Sequence, residues 1–222
     1  MKKPALLSVK KIPHVFWSSN NPLNLRPGIL TLVFLVLGLV LFGLGESVLI
    51  ASGIGVSPWT VFAQGISNYT HWSVGLSTFV VSACLLLLWL PLKQKPGIGT
   101  VLNALIIALA IDLSLPYLPQ PQTNLIQILQ IIIGVIIIGL GSGLYLIANL
   151  GAGPRDGLMV GLQRITNYPI SLVRTSLEIS AVAIGWFMGG VVGLGTIIFA
   201  LGIGPSVSMG LFLVNQFSRS EK

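Results

Sequence analysis

Charge is scarce in this 222-residue chain: 8% of its residues are charged, against about 25% in soluble domains. A surface with so few charges is not built for water. Cysteine occurs once, at Cys84 within an apolar run, which excludes an internal disulfide framework and a cysteine-based metal site. Histidine occurs twice, at His14 and His71, both outside the long apolar runs. No HExxH helix, phosphate-binding Gly-rich loop ending in Lys, or Gly-x-Ser-x-Gly elbow is present. These absences argue against a metalloenzyme, an NTPase or a serine hydrolase. The chain is read as a non-enzyme without metal or cofactor.

What is abundant is apolar. Hydrophobic residues make up 54% of the chain, and glycine occurs 26 times, which suits close helix packing in lipid. A spanning helix needs about 20 mostly apolar residues. Six windows meet that length, roughly 29–51, 74–92, 99–118, 125–148, 171–189 and 195–215. Two further pieces, 57–68 and 154–166, have helical character but are too short and polar to cross. The net charge of +7 does not point to nucleic acid, because the basic residues sit at the edges of the apolar runs. Six crossings with the N-terminus inside place Arg26, Lys93, Lys95, Arg155, Arg164, Arg219 and Lys222 in the cytoplasm and leave the outer loops without Lys or Arg, as the positive-inside rule requires. Residues 1–27, with Lys2, Lys3, Lys10 and Lys11, read as a basic cytoplasmic tail, with Phe16 and Trp17 at the membrane interface.

A shift of 96 positions superposes the two halves without a gap. Gly43-Leu44-Gly45 falls on Gly139-Leu140-Gly141, Gly55-Val56-Ser57-Pro58 on Gly151-Ala152-Gly153-Pro154, and Gly97-Ile98-Gly99-Thr100 on Gly193-Leu194-Gly195-Thr196. Ordered Gly, Pro and Thr matches at one offset mark an internal duplication. Three crossings per half force the second half to enter from the opposite side, the inverted arrangement of many secondary transporters. The expected fold is therefore an all-α integral membrane protein of six transmembrane helices. It forms two inverted three-helix repeats, 28–118 and 125–215, joined by an external linker at 119–124 and followed by a cytoplasmic tail at 216–222. Each repeat has a short non-spanning helix after its first span.

Leu150-Gly-Ala-Gly-Pro-Arg-Asp-Gly-Leu-Met159, Leu172-Val-Arg-Thr-Ser-Leu-Glu178, Gly185-Trp-Phe-Met-Gly-Gly190 and Gly193-Leu-Gly-Thr196 resemble the YczE-like membrane proteins of the wider YczE/YyaS/YitT group. In the first half the resemblance rests on Gly55-Val-Ser-Pro-Trp-Thr60 and Pro96-Gly-Ile-Gly-Thr100. It covers about residues 26–215. It implies a multi-pass bacterial inner-membrane protein with a transporter-like role.

Four of the five acidic residues lie in or beside membrane segments: Glu46, Asp112, Asp156 and Glu178. Charge at that depth costs about 2.5–3.5 kcal/mol or more, so it is paired, functional or both. Arg174 and Glu178 share one helical face and are read as an ion pair or a coupling pair. Glu46 has no basic neighbour on its own helix and is read as a coupling residue that is protonated, paired across helices, or facing water. Asp112 lies near the outer end of its span and is read as reaching water.

The repeated Gly-Pro segments are the candidate binding elements. Pro58 and Pro154 suit the first position of a helix, Ser57 suits a cap, and the unpaired N–H groups of a first turn favour an anion. The candidate substrate-binding set is Ser57, Pro58, Trp59 and Thr60 in one half and Gly153, Pro154, Arg155 and Asp156 in the other. The competing reading is an interfacial turn with Arg155 on lipid phosphate. Thr100 and Thr196 are read as helix caps, with tight packing as the stronger role for their Gly-rich segments.

The sequence thus points to a secondary transporter or permease for a small polar solute, with an anionic one compatible. The alternatives are a non-transporting membrane partner or regulatory subunit of another complex and, further off, an intramembrane enzyme. Expected partners are the lipid bilayer and the solute, with a homodimer or a partner membrane protein also compatible, and no nucleic acid.

Overall fold

The computed structural model describes residues 12–220; the terminal lysines and the side chain of Arg219 lie outside the described part. The described residues form eight α-helices and no strand: α1 Ile29–Ser52, α2 Pro58–Thr70, α3 Val74–Trp89, α4 Ile98–Ser114, α5 Asn124–Ala148, α6 Pro154–Thr166, α7 Ile170–Phe187 and α8 Leu194–Ser220. A short 3₁₀ turn, Leu115–Tyr117, extends α4. The starts of α2, α3 and α4 recur in α6, α7 and α8 at the spacing of the sequence repeat.

Five helices are long and apolar enough to cross a membrane: α1, α4 with its extension, α5, α7 and α8. The sequence expectation of a sixth full-length span over 74–92 needs correction. α3 stops at Trp89 after 16 residues, a rise of about 24 Å against a hydrocarbon core of about 30 Å. Leu90 precedes Pro91, which disfavours continued helix, and Lys93 then takes φ 52°. Together α2 and α3 do reach spanning length, but they meet at a bend of 113°.

The helices sort into two bodies. In the first, α5 packs along both α1 and α8, and α1 also packs on α4. Glycine makes that approach possible, because lipid offers no hydrophobic drive between helices and close contact must supply the attraction. A Cβ on Gly38 would lie 2.7 Å from the carbonyl of Gly141, and one on Gly45 2.8 Å from that of Gly134. In the second body, α2 packs on α7, α3 on α6, and the consecutive pairs α2–α3 and α6–α7 touch. The two bodies are joined mainly where α3 lies along α4.

Two further expectations change. Trp17 is 4% exposed, its ring centroid lies 4.6 Å from that of Phe34 with the planes tilted by 31°, and its indole N–H donates to Ser218 Oγ at 3.1 Å. It is therefore a core anchor and not an interface residue, whereas Phe16 is exposed. Thr100 and Thr196 are not the N-cap residues; each sits at the third helical position, and Thr100 completes the side-chain half of a capping box with Gly97. α4 and α8 begin earlier, at Ile98 and Leu194, and each Thr hydroxyl reaches back to accept the N–H of Gly97 at 3.1 Å or Gly193 at 3.4 Å. The packing role does hold: Gly99 N–H donates to Leu150 O at 2.8 Å, and Gly195 N–H to Ile54 O at 2.9 Å. Each half thus holds the loop that leads into the other half's short helix.

Candidate functional site

The short helices begin alike because their approach loops are alike. Gly55 and Gly151 hold φ of 124° and 116°, a region glycine enters without strain. A Cβ on Gly55 would meet Thr196 and Gly193, and one on Gly151 would meet Thr100 and Gly97. Ser57 and Gly153 follow in extended conformation, with Pro58 and Pro154 opening the helices. No side chain caps either first turn. This departs from the expectation for Ser57, and the reason is Glu46. That carboxylate is 1% exposed, and burying it without donors would be costly. Ser57 Oγ lies 3.0 Å from both carboxylate oxygens, Thr60 Oγ1 donates to Oε2 at 2.8 Å, and the two hydroxyls are 2.9 Å apart.

The second half performs the same tie with the groups exchanged. Here the spanning helix supplies the hydroxyl and the short helix the carboxylate: Tyr145 OH donates to Asp156 Oδ2 at 2.9 Å. Trp89, from α3, donates its indole N–H to Pro154 O at 2.9 Å and lies against Gly157, which fixes the start of α6.

Between the two helix starts lies a cavity of about 280 Å³ to which all eight helices contribute. Of the sequence-predicted residues, Ser57, Pro58, Trp59, Gly153, Pro154, Arg155, Asp156, Arg174 and Glu178 line it. Thr60 and Glu46 do not, because their polar atoms are turned to each other beneath Ser57. The Arg174–Glu178 pair is present, Nε to Oε1 at 2.8 Å. The Arg155 guanidinium sits 5.6 Å over the ring of Trp59, its counterpart in the repeat. It is half-buried, lies in the field of Glu46, Asp156 and Glu178, and makes no hydrogen bond or ion pair among the described residues. It is the cavity's free cation.

Sequence reasoning missed Thr78, Ser82, Asn103, Ser142 and Tyr145, which also line the cavity. The repeat carried a signal for three of them. Thr78 and Ser82 occupy the positions of Arg174 and Glu178, and Ser142 that of Glu46. Taken singly, a hydroxyl in an apolar run reads as packing. Asp112, expected to reach water, is part-exposed and also accepts from Ser73 Oγ at 2.6 Å and Gly75 N–H at 2.8 Å, a tie to α3 that the sequence does not show.

Apolar helices around an internal charged cavity define a polytopic helical membrane protein, with lipid against its outer faces. The comparisons narrow the class. Residues 29–210 match a family described as a family of unknown function, DUF6198. A protein from Haemophilus influenzae, recorded as uncharacterised, is 39% identical over 206 residues, covering 93% of this chain and 94% of its own length. The membrane protein YczE of Bacillus subtilis is 33% identical over 78% of this chain and 81% of its own. YyaS of the same organism is 27% identical over 82% and 89%. The chain belongs to this YczE-like membrane protein family. No solved structure matches it.

Proposed function

We propose that the protein is a secondary transporter or permease for a small polar solute bearing an anionic group, in the inner membrane of a bacterium. The observation that carries this reading is Arg155: a free, half-buried guanidinium held over Trp59 at a cavity between two pseudo-symmetric helix starts. A guanidinium recognises a carboxylate or phosphate through paired donors. The four charged lining side chains, Arg155, Asp156, Arg174 and Glu178, balance one another. With Arg174 and Glu178 engaged together, Arg155 and Asp156 face the solute, which suits a molecule with both an anionic and a cationic group.

The six-crossing inverted arrangement draws support from the helix ends. Hydrogen bonds gather one set at one end: Ser19 N–H to Ala148 O at 3.1 Å, Trp17 to Ser218, and Arg164 Nη2 to Leu92 O at 2.5 Å. The other end gathers Gln130 with Val48 O and Pro119 O, both at 3.2 Å, and Asn68 with Gly189 O at 2.8 Å. In this arrangement α2–α3 serves as the bent second crossing of the first repeat. The basic loops share the first end, which is the cytoplasmic one under the positive-inside rule.

The test is thermal unfolding of the purified protein against small carboxylates, phosphate esters and zwitterions. A ligand of the folded state raises stability, by about 2.7 kcal/mol at a hundred times its Kd. Arg155→Ala should abolish the shift produced by the best compound and Arg155→Lys should weaken it, while both keep near wild-type melting without ligand. If no compound's shift depends on Arg155, the cavity is not a solute site, and an interfacial turn on lipid phosphate replaces it.

A further inference from the structure

The repeat relates α3–α4 to α7–α8, yet these two pairs are arranged differently. α3 lies along α4, whereas α7 and α8 make at most marginal contact. The difference is visible residue by residue. Thr78 and Ser82, on α3, are 3% and 6% exposed. Their counterparts Arg174 and Glu178, on α7, have side chains 54% and 33% exposed. All four line the same cavity, so it is sealed on the α3–α4 side and open on the α7–α8 side. Ala108 of α4 is buried against Gly75. Its counterpart on α8, Gly204, has nothing within 4 Å of where a Cβ would be.

The structure assigns these two arrangements to the two ends of one movement: the body α2, α3, α6, α7 rocks against the body α1, α4, α5, α8. In the state described here α3 is docked on α4 and the α7–α8 side is open. In the second state α7 docks on α8 at Gly204, α3 leaves α4, and the cavity opens on the opposite side. This deepens the transport reading and rests on it.

Three features support the movement. Side-by-side helix packing joins the bodies mainly at α3–α4. Their other ties gather at the short-helix starts, where Glu46 meets Ser57 and Thr60, Tyr145 meets Asp156, and Val61 packs among α1, α5 and α8. These serve as the pivot while the α3–α4 packing breaks; packed interfaces of this kind are bistable. The joint is latched on one side only, by Asp112 on Ser73 Oγ and Gly75 N–H. The matching positions, Ser208, Pro169 and Ser171, have no carboxylate and cannot form the equivalent latch, which accounts for the state observed. Finally, α8 carries Pro205 inside the helix, next to the docking point. A proline there removes a backbone hydrogen bond and permits a bend, whereas α4 has Leu109 at that position.

The test is a cross-link across the open side in membranes, on a Cys84→Ser background. Ser171→Cys and Gly204→Cys occupy the counterparts of Gly75 and Ala108, which touch on the closed side, and both positions are exposed and tolerant of a thiol. Oxidation should form the 171–204 disulfide at a measurable rate as the second state is visited. Asp112→Ala removes both hydrogen bonds of the latch and should raise that rate by at least about tenfold, the scale of a single hydrogen bond to a carboxylate. In parallel, a thiol at Ser82→Cys should react with an impermeant maleimide added from the membrane face nearest the Asp112–Ser73 latch faster with Asp112→Ala than without. If Asp112→Ala perturbs folding, Asp112→Asn gives the same comparison with a milder loss. No disulfide in either background, or a rate indifferent to both Asp112 variants, overturns the rocking movement. Neither readout needs a solute, so the movement can fail while Arg155-dependent binding stands, and the reverse.

Discussion

The two halves of this protein share a backbone plan and differ in where they keep their polar groups. In the first half a carboxylate on the spanning helix, Glu46, is held by two hydroxyls, Ser57 and Thr60, near the start of the short helix. In the second half a hydroxyl on the spanning helix, Tyr145, holds a carboxylate on the short helix, Asp156. The exchange leaves both helix starts anchored, but it moves the acid from behind the wall to the cavity surface. Trp59 and Arg155 divide the remaining work in the same way, one offering a ring face and the other the cation above it. Structural symmetry serves the scaffold, and chemical asymmetry is confined to the few positions a solute would meet.

Substitutions that remove the shared plan should have the largest effect. Gly55→Ala and Gly151→Ala each force a Cβ into a positive-φ position already in contact with the other half. Backbone strain of about 1–3 kcal/mol, added to the steric conflict, should cost about 3 kcal/mol or more in each half. A melting shift in only one of the twins would show that the two junctions are not equivalent.

Breaking the anchors should separate the halves. Glu46→Ala strips both hydroxyls of their acceptor in a buried setting and should cost about 1–3 kcal/mol. Tyr145→Phe removes a single hydrogen bond, and Asp156 is exposed, so about 1 kcal/mol is expected. Denaturant or thermal unfolding of the two variants compares them directly. Equal losses would mean that the exchange of groups has no energetic consequence.

The smallest effect belongs to the Arg174–Glu178 pair. Sequence reasoning places this pair within a membrane segment, where a lone charge would be costly. The structure leaves the side chains 54% and 33% exposed, and a pair that open is worth about 0.2–1 kcal/mol. A double-mutant cycle should return a coupling in that range. A coupling of several kcal/mol would place the pair in a dry environment, as in the state with α7 docked.

The sequence by itself determined the helical membrane class, the two short helices, the paired glycines and the residues of the two helix starts. These follow from local physics: apolar run length, the φ demands of glycine and proline, and an offset repeated without a gap. It reached Arg155 because a cation beside Pro154 breaks the symmetry of the repeat. Its apolar run continues to Leu92, whereas α3 stops at Trp89 because the residue before Pro91 is disfavoured from helix. It placed Glu46 with the coupling residues because intramembrane charge is costly, but it could not pair it with the hydroxyls that satisfy it, since Ser57 and Thr60 lie beyond the end of α1, at the start of α2. Only the tertiary structure decided that Asp112 ties α4 to α3, that Trp17 belongs to the core, and that α7 stands clear of α8. Those outcomes depend on which helices meet, and a repeat with two equivalent ways to pair its helices leaves that choice to packing and to the few hydrogen bonds that only one half can make.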